Sequence, residues 1–92
     1  MSAELPETVS IPETVLWQEV GGEIVLLDVH EGEYRSLNDV GSEMWKALEQ
    51  CRDVAAAHSR LCGLYDVDPD VLRADLAGFI ARLVERQMLR IP

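Results

Sequence analysis

Over its first 34 residues this chain has no lysine and no arginine, set against eight carboxylates: Glu4, Glu7, Glu13, Glu19, Glu23, Asp28, Glu31 and Glu33. The remaining residues carry nine acids and eight bases, so the formal charge of −9 is concentrated toward the N-terminal end. A surface of that sign repels nucleic acid and steers a basic partner toward itself. The alternative reading is solubility alone. Also missing is any run near the roughly 18 apolar residues of a membrane span. The opening stretch MSAELPETVSIPE has neither a basic n-region nor an apolar h-region, so export is not expected and a cytoplasmic location is. Cysteine is scarce as well, with Cys51 and Cys62 the whole supply. A zinc site needs four suitably spaced ligands, and only His58, one helical turn from Cys62, and His30 are there to complete one. A catalytic Cys–His pair needs an orienting third group, and none suggests itself. Both thiols read as partly buried helix residues in a reducing compartment. With no nucleophile–base–orienter set, phosphate loop or metal cluster, the expectation is a non-enzyme with no catalytic residue, metal or cofactor.

What is there suits one domain spanning 1–92. The chain has 92 residues, 48% of them hydrophobic, enough for a modest core without staples. Residues 1–12, with two prolines and two glutamates, read as an extended arm of weak order. A three-stranded meander is expected over 14–37. Thr14 to Val20 is β-branched and aromatic and ends at Gly21-Gly22, a tight hairpin turn. Glu23 to Val29 is the second strand, and Ile24-Val25-Leu26-Leu27 is apolar on both faces, which predicts cover on both sides. The chain reverses over His30-Glu31-Gly32-Glu33, where glycine tolerates φ > 0. Glu33 to Leu37 is the third strand, an edge by connectivity.

Three helices are expected over 38–90. Asn38 or Asp39 caps the first, about Val40–Gln50, which places Val40, Met44, Trp45 and Leu48 inward. Asp53 caps the second, about Val54–Leu64, with Val54, Ala57, Leu61 and Leu64 or Tyr65 inward. The third has Asp68 at its N-cap and Pro69 at its first position. Its core stripe is Leu72, Leu76, Phe79, Ile80, Leu83 and Val84, and Arg82, Arg86 and Arg90 suit its C-terminal half.

One ordered set of short motifs resembles a known family. Leu26-Leu27-Asp28, Gly32-Glu33-Tyr34, Leu37-Asn38, Val40-Gly41 followed by Trp45, Tyr65-Asp66-Val67-Asp68, and Asp75-Leu76 with Phe79-Ile80 and Leu83 look like the signature of PqqD-like peptide chaperones. These are the leader-peptide recognition elements of ribosomally made, post-translationally modified peptide (RiPP) pathways. The likeness covers roughly residues 14 to 90. The Gly-x-Tyr…Leu-Asn form is most similar to the stand-alone members of lasso-peptide biosynthesis. The resemblance implies an α+β, winged helix-turn-helix-like fold, with a three-stranded antiparallel sheet followed by three helices. It further implies the leader of a precursor peptide as ligand, bound against the third strand and third helix and delivered to a separate cysteine protease and a cyclase. The alternatives are a chaperone for a radical SAM peptide-modifying enzyme and a winged-helix transcription regulator. Asp68, Asp70, Asp75 and Glu85 beside the arginines of the third helix argue against nucleic acid.

The residues themselves allow strand addition. An extended peptide can hydrogen-bond to an open strand edge while its alternate side chains enter pockets beside a helix. The strand positions for this are Glu33, Tyr34, Arg35, Ser36 and Leu37. On the helix over 68–87, the flank beside the core stripe carries Val71, Asp75, Gly78, Arg82 and Arg86, with Phe79 on the stripe; of these Val71, Asp75, Gly78, Phe79 and Arg82 are the expected peptide contacts. Tyr34 reads either as an amphipathic core residue or as a groove wall, and Trp45 reads as core. Gly78 reads either as a helix-packing position or as a groove floor, at about 1 kcal/mol relative to alanine. Asp75 reads either as a solvated charge or as an acceptor for a basic or amide group of the peptide.

Overall fold

The computed structural model describes residues 5–92, and the first four residues of the expected arm lie outside them. The sheet is an antiparallel meander in the order β1 (Val15–Val20), β2 (Glu23–Asp28), β3 (Glu33–Ser36). Gly21 and Gly22 close the first hairpin with φ of 62° and 87°, the doubly positive pair that a two-residue turn of the right twist requires. Val15, Ile24 and Leu26 are buried toward the helices. The other face is bare: Leu16, Val20 and Tyr34 are exposed, and Val25 and Leu27 are half-buried. The expected double cover of β2 is therefore not formed, because all three helices pack on one side and no described segment crosses the other.

The helices are α1 (Asp39–Cys51), α2 (Val54–Leu64) and α3 (Pro69–Glu85). Each starts where a short polar side chain satisfies an orphan backbone donor. Asn38 Oδ1 accepts from Gly41 N at 2.8 Å, Asp53 Oδ1 from Ala56 N at 3.2 Å, and Asp68 Oδ1 from Asp70 N at 2.8 Å. Trp45, Leu48, Leu61, Leu76 and Ile80 fill the core against β2, and Trp17 meets Trp45 edge-on at 6.4 Å between ring centroids. Val40 is exposed, contrary to its expected inward place, because it stands in the first turn of α1, ahead of the buried positions that begin at Gly41. At the end of α2, Tyr65 rather than Leu64 packs on the core. Burial, then the nearby Glu43 and Asp39 charges, push the Tyr65 phenol above its ordinary pKa.

The third helix stops at Glu85, not further on. Gln87 turns left-handed at φ 61°, Gln87 N donates to Val84 O at 3.0 Å, and Met88 N donates to Leu83 O at 2.8 Å. That pair of bonds is a Schellman cap with glutamine in the usual glycine place. It folds Met88 and Leu89 into the core and puts Arg90 off the helix, where Arg90 exchanges two 2.9 Å backbone bonds with Ser10. Residues 5–12 are likewise extended but tied. Val54 N donates to Glu7 O, Val9 N to Arg52 O, and Val9 is buried. The alternation of Leu5, Val9 and Ile11 with polar neighbours is the signal that this segment lies against the body.

Candidate functional site

The strand-to-helix junction that builds the site is held by Ser42. Leu37 N donates to Ile24 O at 2.8 Å, continuing the β2–β3 ladder one residue beyond β3. The return bond is replaced by a hydroxyl: Ile24 N donates to Ser42 Oγ at 2.9 Å, and Ser42 Oγ donates to Leu37 O at 3.2 Å. Ser42 is buried, so its side chain satisfies two backbone groups that water does not reach. The wedge peels the chain off the sheet at Leu37 and turns it directly into α1.

The same bond sets the parity of β3. Bonded pairs alternate along an antiparallel ladder, so Arg35, opposite Leu26, also directs its N–H and C=O into the sheet. Tyr34 and Ser36 direct theirs away from β2, to the side where no strand lies among the described residues. Side-chain parity follows: Glu33, Arg35 and Leu37 share the helix-side face with Asp28, Leu26 and Ile24, while Tyr34 stands on the bare face opposite Leu27.

Between this open edge and α3 lies a cleft of about 450 Å³, lined by β3, the start of α1 and one flank of α3. It brings together seven of the ten residues expected from sequence: Arg35, Ser36, Leu37, Asp75, Gly78, Phe79 and Arg82. Three fall elsewhere. Tyr34 is 73% exposed and borders a second concavity on the bare sheet face with Leu16, Val20, Val25 and Leu27, so it is neither a core residue nor a wall of this cleft. Glu33 borders the acidic hairpin end with Asp28, Glu31 and Glu85, where Arg86 also lies. Val71 is exposed near the start of α3 and does not line the cleft.

Outside the ten expected residues, the cleft is also lined by Val40, Gly41, Met44, Ala74 and Arg86. Arg86 is on the α3 flank that the sequence groups with Asp75 and Arg82, although it was not among the expected contacts. The α1 residues gave no such signal, since their place depends on the Ser42 wedge. The tight glycine is Gly41, where an added Cβ would lie 3.1 Å from Asn38 Oδ1 and 3.4 Å from Phe79. At Gly78 only the Arg82 guanidinium comes near, at 3.6 Å, so the helix-packing reading of Gly78 does not hold and its backbone opens onto the cleft.

The electrostatics of the cleft oppose those of the chain. Arg35, Arg82 and Arg86 line it with one carboxylate, Asp75, and none of the described acids between Glu7 and Glu33 does. Among the described residues the ion pairs are those of Lys46 with Glu19 and Glu43, both 3.3 Å. Hydrogen bonds to Glu43 and then Glu19 hold the Lys46 ammonium above its ordinary pKa. The three cleft arginines have no such partner there, and Arg35 Nε is buried without a hydrogen bond.

Elsewhere, Cys62 Sγ lies 3.7 Å from His58 Nε2, which is itself 2.9 Å from the Pro69 carbonyl and so ties α2 to the start of α3. Among the described residues no three His, Cys, Asp or Glu side chains could hold a metal ion, and no helix is long and apolar enough to cross a membrane.

Comparison with known proteins adds to this geometry. Residues 23–89 match the family model described as coenzyme PQQ synthesis protein D (PqqD). No curated protein matches the chain at a significant level. Among solved structures, TbiB1 in complex with the TbiA(beta) leader peptide is 30% identical, with a TM-score of 0.83 over 87% of this chain and 93% of that one. The lasso peptide synthetase B1 complexed with the leader peptide is 24% identical, with a TM-score of 0.80 over 89% of this chain and 96% of that one, and its likeness is one of fold.

Proposed function

The chain belongs to the PqqD family, and from that premise we propose that it binds the leader of a ribosomally made precursor peptide by strand addition to β3 and delivers it to modifying enzymes without catalysing a reaction itself. The observation that carries this reading is the open edge of β3. The outward N–H and C=O groups of Tyr34 and Ser36 are free to continue the ladder, and the cleft beside them receives alternate side chains of an added strand. The likeness to TbiB1, whose structure holds a leader peptide, supports the ligand class. It also favours a lasso-type pathway, in which the enzymes served are a separate cysteine protease and a cyclase in the cytoplasm. The family model, described by its part in coenzyme PQQ synthesis, favours a second reading, service to a radical SAM peptide-modifying enzyme.

Capture from lysate of the source organism, followed by titration, tests the proposal. The full chain serves as bait, and mass spectrometry identifies what it retains. A short precursor whose synthetic leader then binds the purified chain supports the reading, and the co-captured enzyme decides between the two pathways. Retention of duplex DNA with no peptide would replace it with a winged-helix regulator.

A further inference from the structure

The lining of the cleft is mixed. Leu37, Met44 and Phe79 are apolar, while Arg35, Arg82 and Arg86 contribute three guanidinium groups against one carboxylate, Asp75. A strand added at this edge would bond to Tyr34 and Ser36, so its residue opposite Arg35 occupies a non-hydrogen-bonded position. There the two Cα atoms approach most closely and the side chains leave the sheet on the same face. That residue therefore points at Arg35 from one side and toward the arginines of α3 from the other. Its neighbour two positions along lies opposite Leu37, one of the apolar lining residues.

A buried guanidinium N–H without an acceptor carries a desolvation cost that a ligand can relieve. Arginine's planar fork matches a carboxylate better than any neutral acceptor. We propose that the cleft selects an acidic leader segment, with an Asp or Glu opposite Arg35, held by Arg35 with Arg82 and Arg86, and an apolar residue two positions away opposite Leu37. The inference rests on the strand-addition reading and adds to it the class of side chain that is read. It also reverses the simplest expectation from composition, because a chain of charge −9 presents its binding cleft as a local positive site.

The test pans phage-displayed random short peptides on the full chain, then titrates the enriched peptide by fluorescence anisotropy. The enriched sequences should carry an acid and an apolar residue separated by one position. Replacing that Glu with Gln should weaken binding about tenfold, the effect of one charge-assisted hydrogen bond. Arg35→Gln should cost a similar factor with the acidic peptide and no further factor with the neutral one, since the two groups act as a pair. Arg82→Gln repeats the measurement at an exposed helix position if the Arg35 variant melts early. An enriched pool without acids, or a neutral peptide that binds as tightly as the acidic one, overturns the charge selection and leaves strand addition standing. No enrichment at all removes strand addition and this inference with it. Displacement of the acidic peptide by duplex DNA at lower concentration than by unlabelled peptide would make the arginines a phosphate site and also overturn it.

Discussion

Two uncovered surfaces meet at the β3 edge, and only one of them has a wall. On the helix side, Arg35 and Leu37 face α3 across a cleft floored by Phe79 and the backbone of Gly78. On the other side, Leu16, Val20, Val25, Leu27 and Tyr34 form an apolar sheet face that no described segment covers. The two surfaces alternate residue by residue along one short strand, so they share a backbone but not an environment. The difference shows why apolar exposure alone is a poor guide to a binding site. What sets the cleft apart is a wall on α3, a free backbone edge among the described residues and a charge opposite to that of the whole chain.

The largest effect that separates the two sides is on stability. Phe79 is buried beneath the cleft, so Phe79→Ala should destabilise the fold by about 3–5 kcal/mol. Tyr34→Ala on the bare face should stay within about 0.5 kcal/mol. Denaturant titrations of both variants check this, and similar losses would mean that Tyr34 is structural.

Next comes the junction that creates the cleft. Ser42→Ala leaves the Ile24 N–H without its acceptor and the Leu37 carbonyl without the hydroxyl, at about 1–3 kcal/mol for an unsatisfied buried group. Chemical denaturation reads that loss, and an unchanged midpoint would show that the wedge is not needed to hold α1 against the sheet.

Smaller effects sharpen the charge contrast. For a leader with Lys or Arg outside the added segment, rising salt should slow association, because the acidic hairpin end of Asp28, Glu31, Glu33 and Glu85 steers those groups only when unscreened. A stopped-flow on-rate that is flat across the salt series would remove the steering role. Smallest is Asp75→Asn, which deletes the one carboxylate among the cleft arginines. It should tighten binding of an acid-bearing peptide about two- to threefold, as expected for an exposed charge. Weaker binding in the same titration would instead make Asp75 an acceptor for a donor of the peptide.

Much of the scaffold was legible because it is encoded locally. Asn38, Asp53 and Asp68 mark the three helix starts by their own side-chain chemistry, and Gly21-Gly22 marks a tight two-residue turn. The α3 flank that lines the cleft follows from 100° periodicity alone, which is why Asp75, Gly78 and Arg82 were found. Parity in β3 was not legible. Four residues reading Glu-Tyr-Arg-Ser contain no apolar alternation, and what decides the parity is a bond from Leu37 to Ile24, thirteen residues back in the chain. The same blindness put Tyr34 at the groove and let the apolar run of β2 stand for a strand covered on both sides. Ser42 was invisible for a related reason: a serine at the fourth position of a helix looks like a solvated residue until the partner strand is in place.

Strand addition at β3 is the central claim, and a pair of proline substitutions tests it most directly. Proline removes a backbone donor and is tolerated in a sheet only where that donor was not in the ladder. Arg35 directs its N–H into the sheet and Ser36 directs its N–H to the open edge. Arg35→Pro should therefore lower the thermal midpoint measured by circular dichroism. Ser36→Pro should melt close to the parent yet bind leader peptide more weakly, by about 1 kcal/mol for the lost main-chain bond. If folded Ser36→Pro binds the leader at full strength, the peptide does not add to this edge and its site lies elsewhere on the molecule.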